Sequence, residues 1–138
     1  MRFLFTSIVL LSFFSCTINE DRKIKRDIYL HDNSSKVWLV NKMTVGKRDY
    51  TPVQEIYKQV IVFHANNKMY VYILKDIGEK PGKKMSFYLD NDKKHFSFIA
   101  GRNERKFLVK LLSRTKIILK PLSKSYPYTI ELIPFPEM

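Results

Sequence analysis

Three histidines, His31, His64 and His95, stand more than thirty residues apart, so no helical or alternate-residue spacing pairs two of them. Zinc needs His, Cys or carboxylate ligands converging on one point, and a chain with a single cysteine would have to gather acids from afar. Solvated histidines are the expectation, and no metal or other cofactor is predicted. No serine sits in a G-x-S-x-G elbow, and no Ser-x-x-Lys opens a helix, so a hydrolase has no visible nucleophile. Gly78-Glu79-Lys80-Pro81-Gly82-Lys83-Lys84 has the glycines and lysines of a phosphate loop, but three residues separate the glycines and Lys84 stands where Ser or Thr would bind magnesium. It also joins two predicted strands, whereas a phosphate loop leads into a helix. A hairpin connection is the better account, and the chain is expected not to be an enzyme.

The elements that carry these residues begin with an export leader. Arg2 supplies a positive start, and Phe3–Phe14 run without a charge. As a helix these twelve residues rise about 18 Å, short of the ~30 Å hydrocarbon core, so a secretory h-region is a better reading than a permanent span. Later apolar runs are shorter still, broken by Lys, Asp or Asn. Phe13-Phe14-Ser15-Cys16 closes the leader, and this placing of the lone cysteine resembles the lipobox of bacterial lipoproteins. The resemblance implies a diacylglyceryl thioether on Cys16, cleavage just before it and acylation of the new amino group. Residues 1–15 are then the signal peptide and Cys16 the lipid attachment site. Cleavage after Thr17, with Ser15 and Thr17 as the small pair, is the alternative and would release the protein unlipidated.

Thr17–Ser35 is polar, with no sustained period, and reads as a flexible spacer, so residues 16–35 form a lipidated cysteine and its tether. Nineteen residues of loose coil span roughly 25 Å. Arg22, Lys23, Lys25 and Arg26 are interleaved with Glu20, Asp21 and Asp27, which argues for a solvated spacer over a lipid-binding motif. Thr17 directly after Cys16 resembles the outer-membrane sorting signal of lipoproteins. Glu20-Asp21 stands late for a surface-export signal, so the periplasmic leaflet is favoured over the cell surface.

With 138 residues the chain has room for one ordinary domain, and residues 36–138 read as strands. Eight short β-branched or aromatic segments are predicted: Lys36–Val45, Lys58–Phe63, Lys68–Leu74, Lys84–Leu89, His95–Ala100, Lys106–Leu112, Lys116–Lys120 and Tyr128–Ile133. Asn66-Asn67, Asp90-Asn91-Asp92 and Gly101-Arg102-Asn103 supply turns, so consecutive strands should pair as antiparallel hairpins. Thr51–Tyr57 breaks the rhythm: Thr51 could cap a short helix with Pro52 at its first position. Met85, Phe87 and Leu89, like Phe96 and Phe98, alternate with polar or aromatic neighbours, while Met69–Ile73 and Lys116–Lys120 assign no inward side. The fold is all-β, an up-and-down barrel that removes free edges or, alternatively, a β-sandwich.

From Lys36 to Pro134 the chain resembles the lipocalin-like lipoproteins of the Bacteroidota. The likeness rests on Trp38 in the first strand, a short helical stretch, Val60-Ile61-Val62-Phe63 before a polar turn, and Phe87-Tyr88-Leu89-Asp90. It implies an eight-stranded barrel with Trp38 packed across its closed end.

Lys and Arg number 25 against 13 Asp and Glu, a net charge of +12 that favours acidic partners. Basic residues among aromatics could suit nucleic acid, but export argues against it, and Lys at every second or third place in Lys106–Lys120 marks an outward strand face. Like charge also weakens inhibition of a basic lysozyme. Two functions remain. Tyr70, Tyr72, Phe87, Phe96, Phe98 and Phe107 could line a pocket for a small hydrophobic ligand, or could simply fill a barrel that eight strands make barely wide enough for one. The other function is structural: an adaptor docking an envelope protein through an exposed patch.

Overall fold

The structure is a computed structural model and describes residues 28–90 and 94–136. The leader, Cys16, spacer residues 17–27 and the tip of the Asp90-Asn91-Asp92 turn lie outside the described residues. A short helix α1 (Ile28–His31) precedes strands β1 (Ser35–Val45), β2 (Arg48–Asp49), β3 (Gln59–His64), β4 (Lys68–Ile73) and β5 (Lys83–Asp90). Then come β6 (His95–Ala100), β7 (Asn103–Leu112), β8 (Ile117–Pro121) and β9 (Thr129–Pro134). Every neighbouring pair is antiparallel, and β9 returns to β1 along Trp38↔Pro134 to Thr44↔Thr129. That pairing closes an eight-stranded barrel and removes the sandwich alternative; β2 is an extra two-residue strand on the tail of β1.

The eight predicted strands match the observed ones to within about three residues at each end, because each is bounded by residues that cannot continue a ladder. Asn67 adopts φ 65° between β3 and β4, and Gly101 φ 61° between β6 and β7. Both are left-handed conformations that Asn and Gly tolerate at low cost. Register breaks between Val40 and Lys42 in β1 and between Val109 and Leu111 in β7 are bulges, which bend the sheet and help it close.

Hairpin geometry makes the two ends unlike. The tight β3–β4 and β7–β8 turns gather at one end with α1; the long 46–58, 74–82 and 122–128 connections gather at the other. The tight end is sealed. Trp38 is fully buried there, its Nε1 donates to the Leu30 carbonyl at 2.9 Å, and the Lys36 ammonium lies 4.5 Å over its ring. Lys36 also donates to the Arg114 carbonyl at 2.8 Å and sits 3.8 Å from the Asp32 carboxylate.

Two expectations require correction. The spacer predicted to reach Ser35 stops short of it, because Ile28–His31 is helical and Leu30 has no exposed surface. An apolar side chain within reach of the barrel end overrides the polar composition around it. The short helix expected after the first strand is present, as a 3-10 turn at Glu55–Tyr57, but it does not start at Pro52 under a Thr51 cap and has no side-chain cap. Thr51 is used elsewhere: its Oγ1 accepts from the Met43 amide at 2.9 Å, and its own amide donates to Asp49 Oδ1 at 2.9 Å. Contact with Thr51 pulls the Asp49 carboxyl below its usual range, first through the Thr51 side chain and next through the Thr51 amide.

Candidate functional site

Four of the six aromatics proposed to line a pocket do point inward, and there they touch each other. Phe87, Phe96, Phe98 and Phe107 are each at most 4% exposed. Phe63 joins them, with ring centroids 5.0 Å from Phe87 and 5.8 Å from Phe96; Phe96 lies 5.0 Å from Phe98, and Phe98 lies 5.1 Å from Phe107. Edge-on and tilted contacts at this spacing are those of a packed core. The barrel axis is occupied by its own side chains.

Tyr70 and Tyr72 face the opposite way. Met69 and Val71 between and beside them pack into the core, so strand alternation sends both tyrosines to the outer wall. Tyr70 contacts the His64 ring at 5.5 Å, and Tyr72 lies against Gly82.

At the open end a void of about 110 Å³ remains above Phe98 and Met85. Its rim carries Gln59, Lys83 and Arg105, and the Arg105 guanidinium stacks 4.3 Å over Tyr126. The void is well below the ~300 Å³ of ordinary ligand pockets. Burial pushes the Tyr126 phenol up, opposed by the nearby Arg105 charge.

An apolar recess lies outside the barrel wall. Val37, Val60, Val62, Tyr72, Ile77 and Phe135 line a groove of about 430 Å³ on the outer faces of β1, β3 and β4. Its existence follows from register: Val37↔Val62 and Val60↔Tyr72 pair side by side on the solvent face, where a half-solvated sheet normally carries polar residues. Two outward residues, Leu39 and Val60, are 4% and 1% exposed, yet neither belongs to the central core. A second, external apolar layer is therefore present. Phe135 is fixed by its amide, which donates to the Val37 carbonyl at 2.9 Å. Around Val37 and Phe135 the groove meets a wider trough of about 670 Å³, whose other walls include Asp32, Ser35, Lys36 and Pro134.

Nothing in the alternation of β1 or β3 marked this face in advance. A signal was present in Val60-Ile61-Val62-Phe63, since four consecutive apolar residues in one strand must place two on each side.

The histidines remain dispersed. His31, the last residue of α1, is buried, contrary to the solvated expectation, and its Nδ1 accepts the Asn33 amide at 2.9 Å. His64 shares a hydrogen bond with the Ser35 hydroxyl, placed opposite it by the β1–β3 register, and His95 is exposed. No carboxylate is hydrogen-bonded to the His64 ring among the described residues. Among the described residues no three His, Cys, Asp or Glu side chains gather as a metal set, and no helix is long and apolar enough to cross a membrane.

Compared with known proteins, the chain matches no family model, no curated protein and no solved structure. The class it belongs to rests on architecture: a closed eight-stranded antiparallel barrel, plugged at one end by a helix and a tryptophan, consistent with a lipocalin-like fold.

Proposed function

We propose that this protein is a non-enzymatic cell-envelope lipoprotein, anchored through Cys16 in the outer membrane and facing the periplasm, that carries a small hydrophobic molecule on the outside of its barrel. Support for the anchor is the uncharged Phe3–Phe14 leader ending at the lone cysteine. The observation that carries the binding role is the 430 Å³ groove of Val37, Val62, Tyr72, Ile77 and Phe135 beside a core filled by phenylalanines. Its volume falls among those of small-molecule sites, and its walls are almost wholly carbon. A ligand there removes apolar area from water at about 25 cal/mol per Å² without disturbing the core.

Native mass spectrometry of the protein extracted from membranes tests both parts. The expected spectrum shows the acyl mass on Cys16 and a retained apolar small molecule, and the latter is lost in Val62→Lys, which puts an ammonium in the groove while leaving the inward face unchanged. A bare polypeptide mass, or a small molecule retained equally by Val62→Lys, would overturn the reading. So would a stoichiometric protein in place of the small molecule, which is what an adaptor predicts.

A further inference from the structure

The open-end loops form a second surface, which meets the groove at Ile77 and otherwise has its own residues. Val53 is 101% exposed, and Ile56, Tyr57 and Ile77 are each 47% exposed. They sit on two neighbouring connections, each with a 3-10 turn, Glu55–Tyr57 and Leu74–Asp76. The Leu74 amide donates to the Lys58 carbonyl at 2.9 Å, and the Lys75 ammonium lies 5.2 Å over the Tyr57 ring, so the turns are held side by side. Lys58 locks the first turn from beneath: it is buried, and its ammonium donates to Glu55 Oε1 at 2.7 Å and to Asn41 Oδ1 at 3.4 Å. With that turn fixed, Ile56 and Tyr57 are left facing water.

The charges of this end are sorted. Glu55 is occupied by Lys58, Asp76 lies 3.9 Å from Lys80, and the Asp49 carboxylate is bonded by Thr51; Glu79, and Glu104 at the start of β7, have no ion-pair partner among the described residues. Lys47, Arg48, Lys75 and Lys83 are exposed and pair with no carboxylate among the described residues. The result is an exposed apolar tip beside cations that no carboxylate neutralises among the described residues.

We infer that these loops dock on an anionic lipid surface, with Val53, Ile56, Tyr57 and Ile77 entering the headgroup layer and the surrounding lysines meeting lipid phosphates. Exposure together with unneutralised positive charge selects this occupant. A protein partner needs a matching recess for each protruding side chain, whereas a bilayer interface deforms around them. Tyr57 suits the boundary, with an apolar ring and a polar hydroxyl, and unpaired cations gain from a negative leaflet. The +12 charge of the chain acts in the same direction.

The test uses the full chain carrying Cys16→Ser and Val53→Cys, so that the single thiol sits at the tip and takes an environment-sensitive fluorophore. Vesicles of phosphatidylcholine are compared with vesicles containing phosphatidylglycerol as well. A matched chain labelled at Tyr88→Cys, on the outer wall of β5 and 60% exposed, reports any membrane contact made by the rest of the protein. The expected result is a blue shift at position 53 on phosphatidylglycerol vesicles, little on phosphatidylcholine alone, and none at position 88. Adding Lys47→Gln and Lys75→Gln should weaken partitioning on the order of 30-fold, two surface cations being removed. Aqueous emission at position 53 on anionic vesicles, a shift indifferent to lipid charge, or an equal shift at position 88 would overturn the inference. Val53 does not line the outer groove, so any of these outcomes leaves the carrier reading to its own test.

Discussion

The Trp38 indole nitrogen donates to the Leu30 carbonyl at 2.9 Å, and neither residue exposes any surface. This bond ties the chain ahead of the barrel to its first strand. It also satisfies a carbonyl at the end of a four-residue helix, where no further turn exists to accept it. Trp38→Phe keeps much of the apolar volume but leaves that carbonyl buried without its donor, a loss of about 1–3 kcal/mol. Leu30→Ala should cost about 2–5 kcal/mol if the helix is part of the cooperative unit. Urea unfolding followed by tryptophan-independent circular dichroism measures both. A Leu30→Ala midpoint equal to wild type would show that α1 does not stay docked in solution.

Phe98 bridges the filled core and the small void beneath Arg105, touching Phe96 at 5.0 Å and Phe107 at 5.1 Å. Phe98→Ala should destabilise by about 3–5 kcal/mol and join the removed ring volume to the void. The inner walls of the enlarged cavity are apolar and can accept a small aromatic molecule, which enters past the Gln59, Lys83 and Arg105 rim. The variant should therefore regain several degrees of melting temperature on adding benzene, while the wild type does not respond. A wild-type barrel stabilised equally by benzene would mean that its interior is not filled.

Strand existence and order were legible because β-branched and aromatic runs alternate with Asn, Asp and Gly turns, and those turns leave antiparallel neighbours little choice. Phe87, Phe96 and Phe98 were legible as inward for the same reason, each flanked by a polar residue or by an exposed tyrosine. Tyr70 and Tyr72 were not, since Met69–Ile73 offers apolar side chains to both faces and only the partner strand decides between them. Leu30 was hidden in a polar stretch, because one buried side chain leaves no period to detect. The outer groove escaped for a third reason: it needs Val37, Val62 and Phe135 from separate strands in register, a relation that local pattern cannot express.

Gly82 abuts the Tyr72 ring so closely that a Cβ there would meet its Cζ and Cε1 at 2.5 and 2.6 Å. Gly82→Ala must therefore displace the ring, and Tyr72 is one wall of the outer groove. The expected cost is about 1–3 kcal/mol, with a matching change in how the groove holds an apolar fluorescent probe. Tyr72→Ser in the same background should restore most of the stability by removing the clash. Thermal melting and probe titration read the two effects separately. Additive losses in the double variant would place the strain elsewhere.

Tyr126 sits between Phe107 at 5.9 Å and Tyr128 at 5.0 Å, under the Arg105 guanidinium. Burial raises its phenol above the ordinary value of 10.0, the Arg105 charge draws it part of the way back, and Tyr128 adds a small upward push. The folded state therefore holds this proton more tightly than the unfolded chain. Below the unfolded value both states are protonated, and the tyrosine's full contribution to stability is present. As pH rises past about 10 the unfolded chain ionises first, and that contribution falls until the folded phenol ionises too. Tyr126→Phe should leave stability near neutral pH almost unchanged and flatten its decline above about pH 10. Urea midpoints across that range measure the difference. Parallel declines in the two proteins would mean that the phenol is as solvated in the folded barrel as in the unfolded chain.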